Sequence, residues 1–277
     1  MINALSFDVE DWFQVENLKS VVAYDDWDQQ ELRVVANTEK ILRVLKSANT
    51  KATFFILGWV AERCEGLMME IKNQGHEIAS HGYSHELVYN MGEEAFDEDI
   101  RKSKEILEGF SKKPVIGYRA PSFSITNDSL WALDVLKKNG IKYDSSIFPV
   151  NFHDRYGYPM KDSTPFRWPN GLIEIPLSVY RLSKFNLPVA GGGYFRLLPY
   201  AYFKFFLQRL NRNKEVCTFY LHPWELDPDQ PKVSLPLNYR FRHYVNLKAT
   251  ENRLANLLRD FKFDRMSVAH DIIRDVM

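Results

Sequence analysis

One feature restricts this chain's fold more than any other: short β-rich apolar runs alternate with segments of helical periodicity through the first two-thirds of its 277 residues. "INALSFDVE" reads as a strand ending in acids, and "TEKILRVLKSAN" repeats its apolar residues at helical spacing. "KATFFILG" is a second strand. "AERCEGLMMEIKNQG" is a helix with a glycine stop, and "HEIASHG" is the next strand. "EEAFDEDIRKSKEILEGF", "KPVIGYRAPSF" and "TNDSLWALDVLKKNG" continue as helix, strand and helix, the last with a polar cap. "IKYDSSIFP", "LIEIPLSV" and "EVCTFYLHPWEL" are the later strands. A chain that alternates in this way builds a parallel sheet covered by its crossover helices. The pattern predicts an α/β fold of about seven strands closing toward a barrel.

Composition narrows what such a fold could serve. Lysines plus arginines number 36 against 36 aspartates plus glutamates, so charge offers no basis for nucleic acid or an anionic membrane as the main partner. No apolar run approaches the roughly 20 residues that span a bilayer. "MINALSFDVEDWF" lacks a basic start and a cleavage site, and reads as the first strand. The expectation is a cytoplasmic protein, with attachment to the inner face of the membrane through a partner as the alternative. Cys64 and Cys217 are far apart and in no metal-like spacing, which predicts two buried reduced thiols. Oligomeric state is not legible.

In a β/α barrel, chemistry gathers at the C-terminal ends of the strands. Asp8, Glu10, Asp11, His81, Arg119, Asp144 and His222 all fall at such ends. His81 and His85 are four apart, and a helical turn after "ASHG" would face both imidazoles the same way. Two imidazoles and one anion are a usual ligand set for catalytic zinc. Asp8 and Glu10 share one face of a strand. Two acids so placed repel unless a cation or proton lies between them, so one can bind metal while the other serves as a base. Arg119 can clamp a carboxylate with two parallel hydrogen bonds. Opposite such a site His222, with an ordinary pKa near 6.5, is a natural general acid. His76, one strand step earlier, reads as structural.

"LSFDVED", "ATFFILG", "GHEIASHGYSH", "YRAPSF" and "YLHP" resemble, in order, the motifs of the polysaccharide deacetylases, carbohydrate esterase family four. The resemblance covers about residues 1–225 and implies a distorted, often incomplete (β/α) barrel, with 226–277 as a C-terminal extension packed on it. It implies metal-dependent removal of N- or O-acetyl groups from sugars. By that likeness Asp8 is the base, held by Arg119, and His222 is the general acid. His81 and His85 are metal ligands. Glu10 and Asp11 compete for the third ligand position, Glu10 being favoured because it shares a face with Asp8. The acid that orients the histidine in the family has two candidates here, Asp144 and Glu174. The implied cofactor is a divalent metal, Zn²⁺ first, with Co²⁺, Ni²⁺ and Mn²⁺ as alternatives.

"HDRYGYP", "NLPVAGGGYFRLLPY", "YLHPWELDPDQP" and "RFRHYVNL" are similar to the subfamily encoded beside exopolysaccharide and exosortase (PEP-CTERM) systems. That likeness implies an acetylated carbohydrate substrate, a role in building a cell-surface polysaccharide, and association with polysaccharide-assembly enzymes. Tyr194, Arg196 and Trp224, with Phe195, are candidates for the sugar groove, since aromatic faces suit sugar rings. Two rival readings remain. One is a hydrolase of another linear or cyclic amide on the same fold, suggested by "YDSS"; the other is a non-catalytic carbohydrate-binding protein. The C-terminal "RFRHYVNLKATENRLANLLRDFKFDRM" contains an amphipathic helix that could cover the barrel, form a dimer or touch a partner.

Overall fold

The structure, a computed structural model, describes residues 1–150, 157, 158, 160, 161 and 163–272. The alternation seen in the sequence runs from β1 (Asn3–Val9) through α1 (Val34–Ser47) and β2 (Thr53–Ile56) to α2 (Gly58–Arg63), α3 (Glu65–Asn73) and β3 (Glu77–Ser80). It continues with α4 (Glu93–Ser111), β4 (Gly117–Tyr118), α5 (Ala132–Lys138) and β5 (Tyr143–Asp144). Short strands β6 (Phe166–Arg167) and β7 (Ile173–Glu174) follow, then a separate hairpin, β8 (Val179–Leu182) and β9 (Phe185–Pro188). Helices α6 (Gly192–Leu197) and α7 (Tyr200–Arg212) lead back to β10 (Thr218–Leu221). The described residues continue with α8 (Leu237–Tyr244), α9 (Leu247–Asp260), β11 (Phe263–Asp264) and α10 (Met266–Ala269).

The main sheet is ordered β10-β1-β2-β3-β4-β5-β7-β6, with β11 also on β1. Every pairing is parallel except β6 with β7. All seven residues of β1 and all four of β2 and β10 are buried, as strands covered on both faces must be. The sheet curls into a half-barrel. Its register places Phe7 beside Phe54 on one side and Leu221 on the other, so residues 8, 10, 81 and 222 leave neighbouring strand ends together. The largest core cluster joins Phe7, Phe54 and Phe219 to Ile41, Met68, Leu207 and Leu254 from four helices. Both cysteines are buried and free.

Two local expectations need correction. The helix expected over "AERCEGLMMEIKNQG" breaks at Cys64 (φ −126°, ψ 52°), whose carbonyl accepts from Leu67 and Met68 and so starts α3. The strand expected over "KPVIGYRAPSF" is ladder only at Gly117–Tyr118, since Pro121, which has no N–H to offer, starts a short 3₁₀ turn instead. The expected C-terminal amphipathic helix is α9, which follows α8 and packs on α1, α6 and α7. Of "HDRYGYP", residues 153–156 and 159 lie outside the described residues. No described helix is long and apolar enough to cross a membrane.

Candidate active site

The C-terminal ends of β1, β3 and β10 open into a cavity of about 350 Å³. Asp8, Glu10, His81, His85, Tyr194, Arg196, His222 and Trp224 all line it. Ligand atoms of Glu10, His81 and His85 lie within 4.8 Å of one another. His85 Nε2 is 2.5 Å from Glu10 Oε2. His81 donates from Nδ1 to the Arg119 carbonyl (2.8 Å), which leaves Nε2 as its bare nitrogen.

The two histidines converge by a route other than the helical turn expected from their spacing. Residues 81–87 form no helix; Gly82 (φ +76°) and His85 (φ +55°) take left-handed conformations that fold the loop back on itself. Half-buried Asp99, from α4, fastens that loop by accepting from the Tyr83 and Ser84 amides (2.8 and 3.2 Å) and from the Ser84 hydroxyl. A Cβ at Gly82 would meet the Asp99 carboxylate at 2.8 Å. The sequence reading missed Asp99, because nothing marks one acid among several on α4.

Of the two candidates for the third ligand position, the cluster takes Glu10. Asp11 turns the other way and caps α1, accepting from the Arg33, Val34 and Trp12 amides at 2.7, 2.8 and 2.7 Å. Burial lifts the Asp11 carboxyl to about 6 against those three hydrogen bonds. Burial also acts on Glu10, but the surrounding His85, His222 and His81 outweigh it and hold its carboxyl at about 2. Among the described residues Glu10 Oε2 is buried with no hydrogen-bond partner, although His85 Nε2 is beside it. A carboxylate oxygen and ring nitrogens converging in this way fit a divalent cation, and the set of two imidazoles and one carboxylate suits Zn²⁺ or a similar ion. Burial pulls His81 down to about 4, which keeps it neutral as a ligand must be.

Asp8 stands beside this cluster and outside it. Its Oδ1 accepts from Arg119 Nη1 at 2.6 Å, with both side chains buried. The two-pronged clamp expected of Arg119 is absent. Its remaining donors go to Ser6 Oγ, Ser145 Oγ and the Ser145 carbonyl, and its guanidinium lies 4.1 Å above the Phe55 ring. Asp8 Oδ2 faces His222 Nε2 at 3.9 Å.

His222 is oriented by neither expected acid. Its Nδ1 is bonded to Glu225 Oε1 at 2.7 Å, and the same oxygen accepts from its backbone amide at 3.0 Å. Four strands separate β5, which carries Asp144, from β10 in the sheet order. Asp144 bonds Ser146 Oγ at 2.6 Å and pairs with Glu174, away from the cavity lining. Burial raises both carboxyls of that pair, Glu174 further because Asp144 sits against it. Glu225 was legible in principle: "HPWE" has the three-residue spacing of a capping box, which it forms. Burial lowers His222, but Glu10, Glu225 and Asp8 outweigh it and raise it to about 9.

The residues expected to bind sugar divide. Tyr194, Arg196 and Trp224 line the cavity, while Phe195 is wholly buried in the core. Trp224 is 5% exposed, stacks between His222 and His243, and donates from Nε1 to Glu10 Oε1 at 3.2 Å. Arg196 is also buried, with its donors taken up by Glu225 and backbone carbonyls. His76 is structural as expected: its Nδ1 accepts from the Ala52 amide.

With this geometry in place, comparison with known proteins is informative. Residues 17–143 match the polysaccharide deacetylase family, and residues 145–270 match a domain of unknown function, DUF3473. A peptidoglycan-N-acetylglucosamine deacetylase of Bacillus cereus is 33% identical over 123 residues, 39% of this chain and 44% of that protein. A peptidoglycan deacetylase of Helicobacter pylori is 32% identical over 117 residues, 42% of this chain and 39% of that one. The chain thus spans less than half the length of these curated relatives. A crystal structure from Mycobacterium smegmatis assigned to the polysaccharide deacetylases superposes with a TM-score of 0.63, covering 99% of this chain and 90% of that one at 19% identity. That likeness establishes the half-barrel fold.

Proposed function

We propose that the protein is a metal-dependent N-deacetylase of N-acetylated sugars, belonging to a cell-surface polysaccharide or its precursor. One observation carries the reading: a carboxylate held by a buried arginine stands beside a Glu10–His81–His85 cluster, and His222 faces both, its Nε2 3.4 Å from Glu10 Oε1 and 3.9 Å from Asp8 Oδ2. Glu10, His81 and His85 would hold the divalent ion, which when bound polarises an acetyl carbonyl and makes water acidic enough to attack near neutral pH. Asp8, aimed by Arg119, takes the proton of the attacking water. His222, protonated and fixed by Glu225, gives its proton to the departing amine. Tyr194 and the cavity wall hold the sugar ring. We assign residues 1–225 to the catalytic barrel and 226–277 to the extension packed on it, and we infer that polysaccharide-assembly enzymes are its partners.

Two rival readings lose their supports. The serines of "YDSS" serve Arg119 and the Ala120 amide and do not line the cavity, so nothing favours a cyclic-amide site. The non-catalytic reading requires a missing base, acid or ligand, and Asp8, His222 and the Glu10–His81–His85 set, all lining the cavity, count against it. The deciding experiment measures acetate released from N-acetylglucosamine oligosaccharides before chelation, after it, and with Zn²⁺ restored. The expected result is loss and recovery; turnover indifferent to chelator, or no acetate under any divalent ion, overturns the proposal.

A further inference from the structure

Arg196 was expected at the sugar, but the structure uses it elsewhere. Its Nε donates to Glu225 Oε2 at 2.6 Å, on the carboxylate whose other oxygen holds His222. Its Nη1 donates to the His243 and Val245 carbonyls (2.8 and 3.1 Å), and its Nη2 to the Arg242 carbonyl (3.0 Å). Those carbonyls end α8 and lack partners within the helix, and a helix C-terminus favours a cation. The attachment is mutual, since Asn246 Nδ2 and Arg253 Nη1 both donate to the Arg196 carbonyl at 2.9 Å. The guanidinium is 2% exposed and Glu225 0%. A pair so deeply buried is strongly unfavourable to break from one side, because the survivor is left charged and without a partner. Glu225 is therefore positioned as firmly as α8 and α9 position Arg196.

Resting on the deacetylase reading, we propose that Arg196 is a positioning residue through which the C-terminal helices α8 and α9 hold Glu225, and thereby His222, in place for proton donation to the leaving amine. The C-terminal extension is then part of the acid's support as well as cover for the barrel. The inference separates two reactions at one site. An N-acetyl amide needs a proton on its leaving nitrogen, whereas 4-nitrophenyl acetate loses a stable phenolate without one. Disturbing Arg196 should slow the first far more than the second.

The test compares wild type with Arg196→Met and Arg196→Lys in the full chain, using N-acetylglucosamine oligosaccharides and 4-nitrophenyl acetate, with metal content measured on each protein. Lysine keeps the charge but cannot fork between a carboxylate and three carbonyls, and it provides the answer where methionine prevents folding. We expect kcat on the amide to fall about 100-fold or more, within the range an acid supplies, with ester turnover lowered only a few-fold and metal retained. Amide hydrogen exchange over 237–246 should rise in either variant, a readout independent of turnover. Equal losses on amide and ester, or unchanged exchange over 237–246, overturn the proposal. Failure of the wild type itself to release acetate sinks instead the deacetylase reading on which it rests.

Discussion

The two sides of the cavity are held by different means. On the side of the cation cluster, Glu10, His81 and the base Asp8 leave β1 and β3, which flank β2, and short-range contacts at the sheet's end fix most of them: Arg119 supplies the carbonyl that takes His81 and the guanidinium that takes Asp8, and one tight loop brings His85 back. On the acid side, His222 leaves β10 and depends on a succession of side chains, Glu225 and then Arg196, ending on helices added last in the chain. The first side is mostly local geometry of a sheet edge. The second joins residues 196, 222–225 and 242–253, so any loosening of the C-terminal helices reaches it. Sheet-anchored groups should respond to substitution of themselves, and the acid should respond also to changes at a distance.

Substitutions can break this contrast, beginning with the largest expected effect. His81→Ala removes a cation ligand from the rigid side, and acetate release should fall about 10⁴-fold, as several kcal/mol of charge stabilisation imply. Metal content measured on the folded protein should fall with it; full activity would refute the ligand assignment. Asp8→Asn keeps the cluster but takes away the base, so turnover should drop about a thousandfold while bound metal stays near wild type. Asp99→Asn leaves every reacting group in place and weakens only the grip on the Tyr83–Ser84 amides. Metal affinity should then weaken about 10-fold, the lower end for outer-shell partners, by competition with a chelating dye.

The smallest effect concerns neither side. Asp144 and Glu174 sit buried against each other, and both are raised above their ordinary values, Glu174 well above. Unfolded, the glutamate ionises near its ordinary pKa; folded, it keeps its proton longer. Its stabilising contribution is therefore complete below the unfolded pKa and is lost as pH rises through the folded one. Glu174→Gln should flatten the fall of Tm between about pH 5 and pH 8, by a few degrees at the alkaline end. Thermal melts showing the same slope in both proteins would mean the pair carries no such cost. Deacetylation should change little, since neither carboxylate lines the cavity.

Much of the molecule was legible before any coordinate. Asp8, His81, Arg119 and His222 each close an apolar run, and a parallel strand exposes its C-terminal end to the same face as its neighbours; position along a strand was enough to bring them together. Where the reading failed, the missing information lay in how loops fold. Spacing alone suggested a helical turn between His81 and His85, and only Gly82 and the Asp99 contact produce the loop found. "DVED" left Glu10 and Asp11 open, because two consecutive acids past a strand end differ only in direction, and the amides of Arg33 and Val34 draw Asp11 to α1.

The sequence by itself determined the half-barrel and the strand-end groups, because alternation, periodicity and strand direction are local properties. Tertiary structure alone decided which acid orients His222, why Arg196 is buried, and what the C-terminal helices support. Those outcomes depend on which buried charges and unpaired carbonyls meet across long stretches of chain, and that pairing is dictated by the need to satisfy them once water is excluded.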